Sequence, residues 1–247
     1  MYRAVFIDID GTMLNSKGQL EDEIIEAITK VKLKGIIVGL ASGRSVEASE
    51  IYGEKFGCSL YIAYNGSLVF LNNELIHDVK IPSNVAHHLC RKTIRCAGTF
   101  IHFSYQTSLS NHPKYEEHLM PFAEKVNLPD TNCDAHRLAL YTGTQYRRVI
   151  KKEVIEEFVF EEDNRLEVYP KGSKWTGIER AIEKLCILPE EVVAIGNGIN
   201  DVEMLKAAGM GVAMGNASKD VKKSAEMIVK DNDNHGVARA LEVIFNI

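Results

Sequence analysis

The chain is poor in the residues that anchor specialised architectures. Its 247 residues include five cysteines, at positions 58, 90, 96, 133 and 186. That odd number, without a Cys-x-x-Cys pair, argues against a disulfide framework or a paired-cysteine zinc site and suits a reducing compartment. No apolar run approaches the ~18 residues of a membrane span. The short apolar start, residues 5–7, ends in Asp8, which does not suit a signal peptide. The expectation is a cytoplasmic protein with no membrane partner. A basic excess is also missing. Against 34 Asp and Glu stand 29 Lys and Arg, a net charge of −5, so nucleic acid is not an expected partner. No Walker sequence or His-Glu-x-x-His pair occurs, and the dinucleotide pattern opening at Gly196 has Asp201 where its third glycine belongs. A calcium loop opening at Asp8 fails too, with Met13 where glycine is required and Gln19 where glutamate is required. Nothing in the composition separates a monomer from a homodimer.

What is present suits a buried core: 45% hydrophobic and 26% charged residues, over a length fit for one large or two small domains. Residues 1–81 alternate strand and helix patterns. Residues 5–7 read as a buried strand, Ile24, Ile28 and Val31 recur at helical spacing, and Gly35 supplies the stop. Strands follow at 36–41 and 61–64, with a helix over 45–56 between them. Runs at 67–70 and 75–81 flank Asn72-Asn73, a hairpin signal because asparagine tolerates positive φ. From 173 the same grammar resumes, with helices after Lys174, over about 200–208 and over 235–245, and strands at 192–195, 211–214 and 227–229. This alternation predicts an α/β fold, a parallel sheet covered by helices with ligands at the carboxyl ends of its strands.

Residues 82–172 have a different texture. Helical patterns over roughly 83–97, 114–126 and 145–157 are interleaved with strands near 99–105, 137–142, 158–161 and 165–170, and six of the eight histidines lie here. They read as a separate α+β domain, 82–172, inserted into a discontinuous core formed by 1–81 and 173–247.

The sharpest chemical feature is Asp8 and Asp10, two carboxylates one residue apart at a strand end. They repel each other unless a cation or proton relieves them. Mg²⁺ is suited to that, because it takes one or two carboxylates together with phosphate oxygens. One carboxylate can then attack phosphorus while the other handles protons. Ser42-Gly43-Arg44 offers a hydroxyl and backbone N–H groups to a phosphate. Lys174, at a helix start, opposes the helix dipole unless an anion lies near it. The loop from Gly196 through Asn197 and Asn200 to Asp201 carries two amides and a carboxylate, suited to metal and phosphate ligation. Singly, the acid pair, Ser42-Gly43 and Lys174 read more readily as a turn or a solvated side chain. Jointly they supply the parts of magnesium-assisted phosphoryl transfer. Trp175 reads as a packing residue and His87-His88 as surface; Arg137, Arg147, Arg148 and Arg165 suit either an anionic or polyhydroxy substrate or solvent, and most read as solvent-facing.

In order along the chain, Asp8-Ile-Asp10-Gly-Thr12, Ser42, Lys174 and residues 196–201 resemble the four motifs of the haloacid dehalogenase superfamily. Within it, the chain resembles the Cof-type subfamily IIB sugar-phosphate phosphatases, whose cap is inserted between the second and third motifs. Tyr64-Asn65-Gly66 resembles that family's Asn-Gly segment. The resemblance implies a Rossmann-like core with an inserted α+β cap. It also implies an Mg²⁺-dependent phosphatase that acts on a small phosphorylated metabolite, such as a sugar phosphate, through an aspartyl-phosphate. In that frame Asp8 is the nucleophile, and Asp10 protonates the leaving alkoxide and then deprotonates water. Asp8, the backbone carbonyl of Asp10, Asn197 and Asp201 would hold Mg²⁺. Ser42, Gly43, Lys174 and Asn200 would bind the phosphoryl group, with Arg44 and Asn65 as substrate contacts.

Two departures stand out. Asn197 occupies a position where the family usually has aspartate, and Trp175 one where glycine commonly follows the lysine. A neutral ligand predicts weaker Mg²⁺ binding with activity retained. Two related alternatives are a phosphomutase of the phosphomannomutase type and a catalytically weakened phosphometabolite-binding protein, the latter motivated by Asn197. A receiver-type phospho-acceptor module does not suit the chain's length or the order of its acids.

Overall fold

Val5, Phe6 and Ile7 are inaccessible to solvent, as expected for a strand inside a sheet covered on both faces. The computed structural model describes residues 1–105, 107–112, 124–125, 132–153, 158–162 and 165–247. They form two units, Met1–His77 with Ser173–Ile247, and Asp78–Gly172. The chain opens with β1 (Ala4–Ile7), α1 (Asp22–Leu33), β2 (Ile37–Ala41), α2 (Val46–Gly53), β3 (Leu60–Ala63), β4 (Leu68–Leu71) and β5 (Glu74–Asp78). It continues through α3 (Ser83–Arg95), β6 (Thr99–Ser104), β7 (Thr107–Ser110), β8 (Glu124–Lys125), β9 (Arg137–Tyr141), α4 (Thr144–Lys151), β10 (Phe158–Glu162) and β11 (Arg165–Tyr169). It closes with α5 (Lys174–Lys184), β12 (Val192–Gly196), α6 (Val202–Ala207), β13 (Met210–Ala213), α7 (Lys219–Lys222), β14 (Met227–Ile228) and α8 (Gly236–Phe245).

The first unit is built on an eight-stranded sheet in the order β14-β13-β12-β1-β2-β3-β4-β5. Strands from β14 through β3 run parallel, and β4 turns back antiparallel on β3. The turn into β5 carries Asn72 and Asn73 at φ 50 and φ 63, the left-handed geometry that the Asn-Asn pair predicted. On one face Phe6, Ile62 and Val69 pack with Trp175, Ile178 and Ile182 of α5 and Leu205 of α6. Each large side chain buried this way contributes about 1.5–3 kcal/mol, and Trp175 is the packing residue expected. Strands β12 and β2 flank β1, so the loops at the carboxyl ends of these three strands meet by topology alone. Those loops carry Asn197, Ser42 and Asp8.

The second unit is a six-stranded sheet, β10-β11-β9-β6-β7-β8, antiparallel except for the parallel β7–β8 pair. Phe100, Leu138, Leu140, Leu166 and Val168 form one apolar face against Ala86, Leu89 and Cys90 of α3 and Ile150 of α4. Alternate residues point the other way, and there the structure corrects the sequence reading. Arg137, expected in solvent, is 4% exposed. Its Nε and Nη2 donate to the Glu167 carboxylate at 2.6 and 2.8 Å, and Arg165 also pairs with Glu167. On the other face Arg147 is buried and donates to the Thr142 carbonyl and Glu161. Only Arg148 of that group is exposed. Strand β7, Thr-Ser-Leu-Ser, was too polar to be read as a strand. The helix expected over 114–126 lies outside the described residues, except that residues 124–125 form β8.

Candidate active site

Asp8 follows directly on β1 and is 5% exposed. Gly11, at φ +70, lets the chain double back, and a Cβ there would lie 2.5 Å from Asn197 Nδ2. Lys174 is completely buried at the first position of α5. Its ammonium donates to Asp8 Oδ1 and Asp201 Oδ1, each at 2.6 Å. A lysine that sits badly with the helix dipole is thus held by two aspartates, the kind of anion its position required. Asp201 is itself fixed, since its Oδ2 accepts the backbone N–H groups of Asn197 at 2.9 Å and Gly198 at 2.8 Å.

Two carboxylates share one lysine in a dry setting. Burial first, and then the neighbouring Asp201, push Asp8 up to about 7, against the opposing pull of Lys174. Thr12 Oγ1 lies 2.9 Å from both Asp8 Oδ2 and Asn197 Oδ1. Its single proton can serve only one of them. Donated to Asp8, it leaves the Asn197 amide oxygen with lone pairs to offer a cation.

The remaining residues gather around this pair. Ser42 is 1% exposed, at the end of β2, and its Oγ accepts the Arg44 N–H at 3.1 Å. The Arg44 guanidinium grips Asp10 through two bonds, Nε to Oδ2 at 2.7 Å and Nη2 to Oδ1 at 2.6 Å. The Asp10 side chain stays 58% exposed, open to proton exchange with solvent. Asn200 Nδ2 donates to Asn65 Oδ1 at 2.9 Å, and the Asn65 N–H donates to the Ser42 carbonyl at 2.9 Å. The site residues read from sequence therefore lie in the first unit, all in its strand-end loops except Lys174, which opens α5. Thr12 and Asn216, whose Nδ2 donates to the Gly11 carbonyl at 2.8 Å, were given no role by sequence reasoning. Thr12, four residues beyond Asp8 in a tight loop, was readable in principle; Asn216, distant in sequence, was not.

The donor set also bears on a metal. Among the described residues no three His, Cys, Asp or Glu side chains gather as a metal cluster. The oxygens on offer are those of Asp8, Asp201, the Asn197 amide and the Asp10 carbonyl. All are hard donors with only two carboxylates among them, which fits Mg²⁺. The surplus negative charge that raises Asp8 is the charge such an ion would neutralise.

Buried aspartates on a parallel sheet's strand ends, a lysine between them and an exposed second acid form an arrangement suited to phosphoryl transfer. Residues 5–241 match the family model of haloacid dehalogenase-like hydrolases, and the chain belongs to that family. It is 27% identical over 249 residues to the 5-amino-6-(5-phospho-D-ribitylamino)uracil phosphatase YcsE of Bacillus subtilis, covering 97% of this chain and 94% of that protein. Against the phosphoglycolate phosphatase of Methanobrevibacter smithii, identity is 28% over 251 residues, with 97% of each covered. In three dimensions it resembles a subclass IIB sugar phosphatase of the superfamily, with a TM-score of 0.87 at 23% identity over 99% of this chain and 100% of that one. The fold is thus a parallel-sheet core with an inserted cap, and the enzyme class is a phosphoric monoester hydrolase. Among the described residues no helix is long and apolar enough to cross a membrane.

Proposed function

We propose that the chain is an Mg²⁺-dependent cytoplasmic phosphatase that hydrolyses a small phosphorylated metabolite, a sugar phosphate in particular, through an aspartyl-phosphate on Asp8. The observation that carries this reading is Asp8 itself: buried, fixed by Lys174 and Thr12, and short of positive charge. A carboxylate in that state is poised to bond to an electrophile. Its carboxylate oxygen attacks phosphorus as the ester P–O bond breaks. Asp10, solvent-exposed and reachable for proton exchange, gives a proton to the leaving alkoxide. It then takes one from the water that attacks the aspartyl-phosphate, releasing phosphate and restoring Asp8. Ser42, the Gly43 backbone, Lys174 and Asn200 receive the phosphoryl oxygens, and Arg44 and Asn65 stand as substrate contacts.

Asp8, the Asp10 carbonyl, Asn197 and Asp201 would hold Mg²⁺, which supplies positive charge to the phosphoryl oxygens and relieves the paired carboxylates. The names of the two phosphatase relatives, each with a small phosphorylated metabolite as substrate, support the substrate class. The test is phosphate release across a panel of phosphorylated metabolites, with Mg²⁺ and with a chelator. Release from at least one sugar phosphate, lost on chelation and restored by Mg²⁺, is the expected result. Release unaffected by chelation contradicts the Mg²⁺ assignment, and isomerised sugar phosphate without free phosphate would make the enzyme a mutase.

A further inference from the structure

Asn65 is 3% exposed and adopts the left-handed conformation, φ 55 and ψ 35, directly after Tyr64 at φ 47. Asparagine tolerates this conformation far better than most residues. Its position is over-determined. The Tyr64 and Asn65 N–H groups donate to the carbonyls of Arg44 and Ser42, each at 2.9 Å. Gly66 follows at φ +99, where a Cβ would lie 1.9 Å from the Ser173 carbonyl oxygen. The turn is thus pressed between the Ser42 loop and the start of α5, which carries Lys174. On its remaining side, Asn65 Oδ1 accepts from Asn200 Nδ2 at 2.9 Å.

One group in this arrangement is left over. Asn65 Nδ2 is buried and has no hydrogen-bond partner among the described residues. A buried donor without a partner is uncommon enough to demand a reason. Here the donor belongs to a residue bonded to Ser42 and Asn200, in a turn packed on the start of the Lys174 helix, three elements to which the phosphatase reading gives the phosphoryl group. A phosphoryl oxygen only accepts hydrogen bonds, and a fixed donor in a dry site binds it strongly.

We propose that Asn65 is a further phosphoryl-binding residue, giving an Nδ2–H to an oxygen of the transferring group while its Oδ1 orients Asn200. Because Oδ1 can only accept, the amide nitrogen of Asn200 must face it. The second N–H of Asn200 is thereby turned away from Asn65. Asn65 and Asn200 then act as a pair of donors held in register by their mutual bond. The proposal rests on the phosphatase reading of the same site.

Asn65→Asp tests it, because aspartate is isosteric, tolerates the left-handed backbone and still accepts from Asn200, but has no N–H to give. With the best ester, kcat/KM should fall about 100-fold or more, the scale of losing one fixed oxyanion donor. Inhibition by inorganic phosphate should weaken in parallel, with the melting temperature little changed. Asn65→Gly keeps the backbone conformation and serves if the aspartate variant does not fold. Introduced on an Asn200→Ala background, it should cause a further loss of both kcat/KM and phosphate inhibition. Wild-type kcat/KM and phosphate inhibition in Asn65→Asp, or no further loss in the double variant, overturns the assignment and leaves Asn65 only a structural support for Asn200. If the wild type hydrolyses no ester and is not inhibited by phosphate, the reading of the site itself fails, an outcome distinct from an active wild type with a silent Asn65.

Discussion

Each unit of the molecule buries carboxylates against cations, with opposite results. In the first, Asp8 and Asp201 share Lys174, and burial together with Asp201 holds Asp8 up at about 7. In the second, Glu167 is completely buried between β-strands. Burial alone would raise it, but Arg137 and Arg165 together hold it below the ordinary carboxylate range. The ingredients are alike and the charge balance differs. A carboxylate with too few cations is strained toward reaction, whereas one gripped by two guanidinium groups is a structural clasp. Burial of an ion pair therefore says little about role until the charges around it are counted.

Exchanging one carboxylate for its amide in each unit should have opposite effects. Asp8→Asn should lower phosphate release roughly 10⁴-fold or more, as expected for losing a nucleophile. Its melting temperature should stay the same or rise, because one of two competing carboxylates is gone. Glu167→Gln should do the reverse. It leaves buried guanidinium groups without their carboxylate and should cost about 3–5 kcal/mol of stability, read from denaturant unfolding. Glu167→Gln as stable as the wild type would show that the clasp reading is wrong.

A smaller effect is expected at Asn197. Asn197→Asp adds a charged oxygen donor beside Asp8 and should lower the Mg²⁺ concentration for half-maximal activity several-fold. An unchanged or raised requirement would remove Asn197 from the metal set.

The smallest effect separates the units by pH. Burial holds His136 and His102 of the second unit below the ordinary imidazole value. His136 sees Asp78 at 2.8 Å, with Lys80 and Asp134 near. His102 meets the Cys133 carbonyl at 3.1 Å, with His136 and Asp134 near. A lowered folded pKa means the unfolded chain binds more protons as pH falls through about 6.5. The stability these histidines contribute is present above that value and is lost below it. Hydrogen exchange at pH 7.5 and 5.5 should therefore show protection lost in β6, which carries His102, and in β9, which His136 immediately precedes, before it is lost in β1 and β12. Equal loss in both units would show that these histidines do not set the pH dependence.

The first unit was the more legible in sequence for a physical reason. Its central strands are buried on both faces, so residues 5–7 and 192–195 read as unbroken apolar runs, and Asn72-Asn73 announced its hairpin by backbone chemistry. Lys174 was readable as a lysine in need of an anion. In the second unit the sheet carries Arg137, Arg165 and Glu167 along one face. Charged residues in a strand look like solvent-facing residues until their cross-strand partners are known. Within the site, residue types and order were legible, but pairings were not. The Arg44 grip on Asp10 and the unpartnered amide of Asn65 depend on loops brought together from distant parts of the chain, which no local pattern encodes.

In the proposed mechanism Asp8 carries the phosphoryl group. The most direct measurement is an acid-quenched single turnover with a labelled ester, followed by borohydride reduction and peptide mapping. Label appearing transiently on the peptide containing Asp8, with the reduced residue at that position and none in Asp8→Asn, is the expected result. Label that never reaches Asp8 while phosphate is still released would contradict the claim.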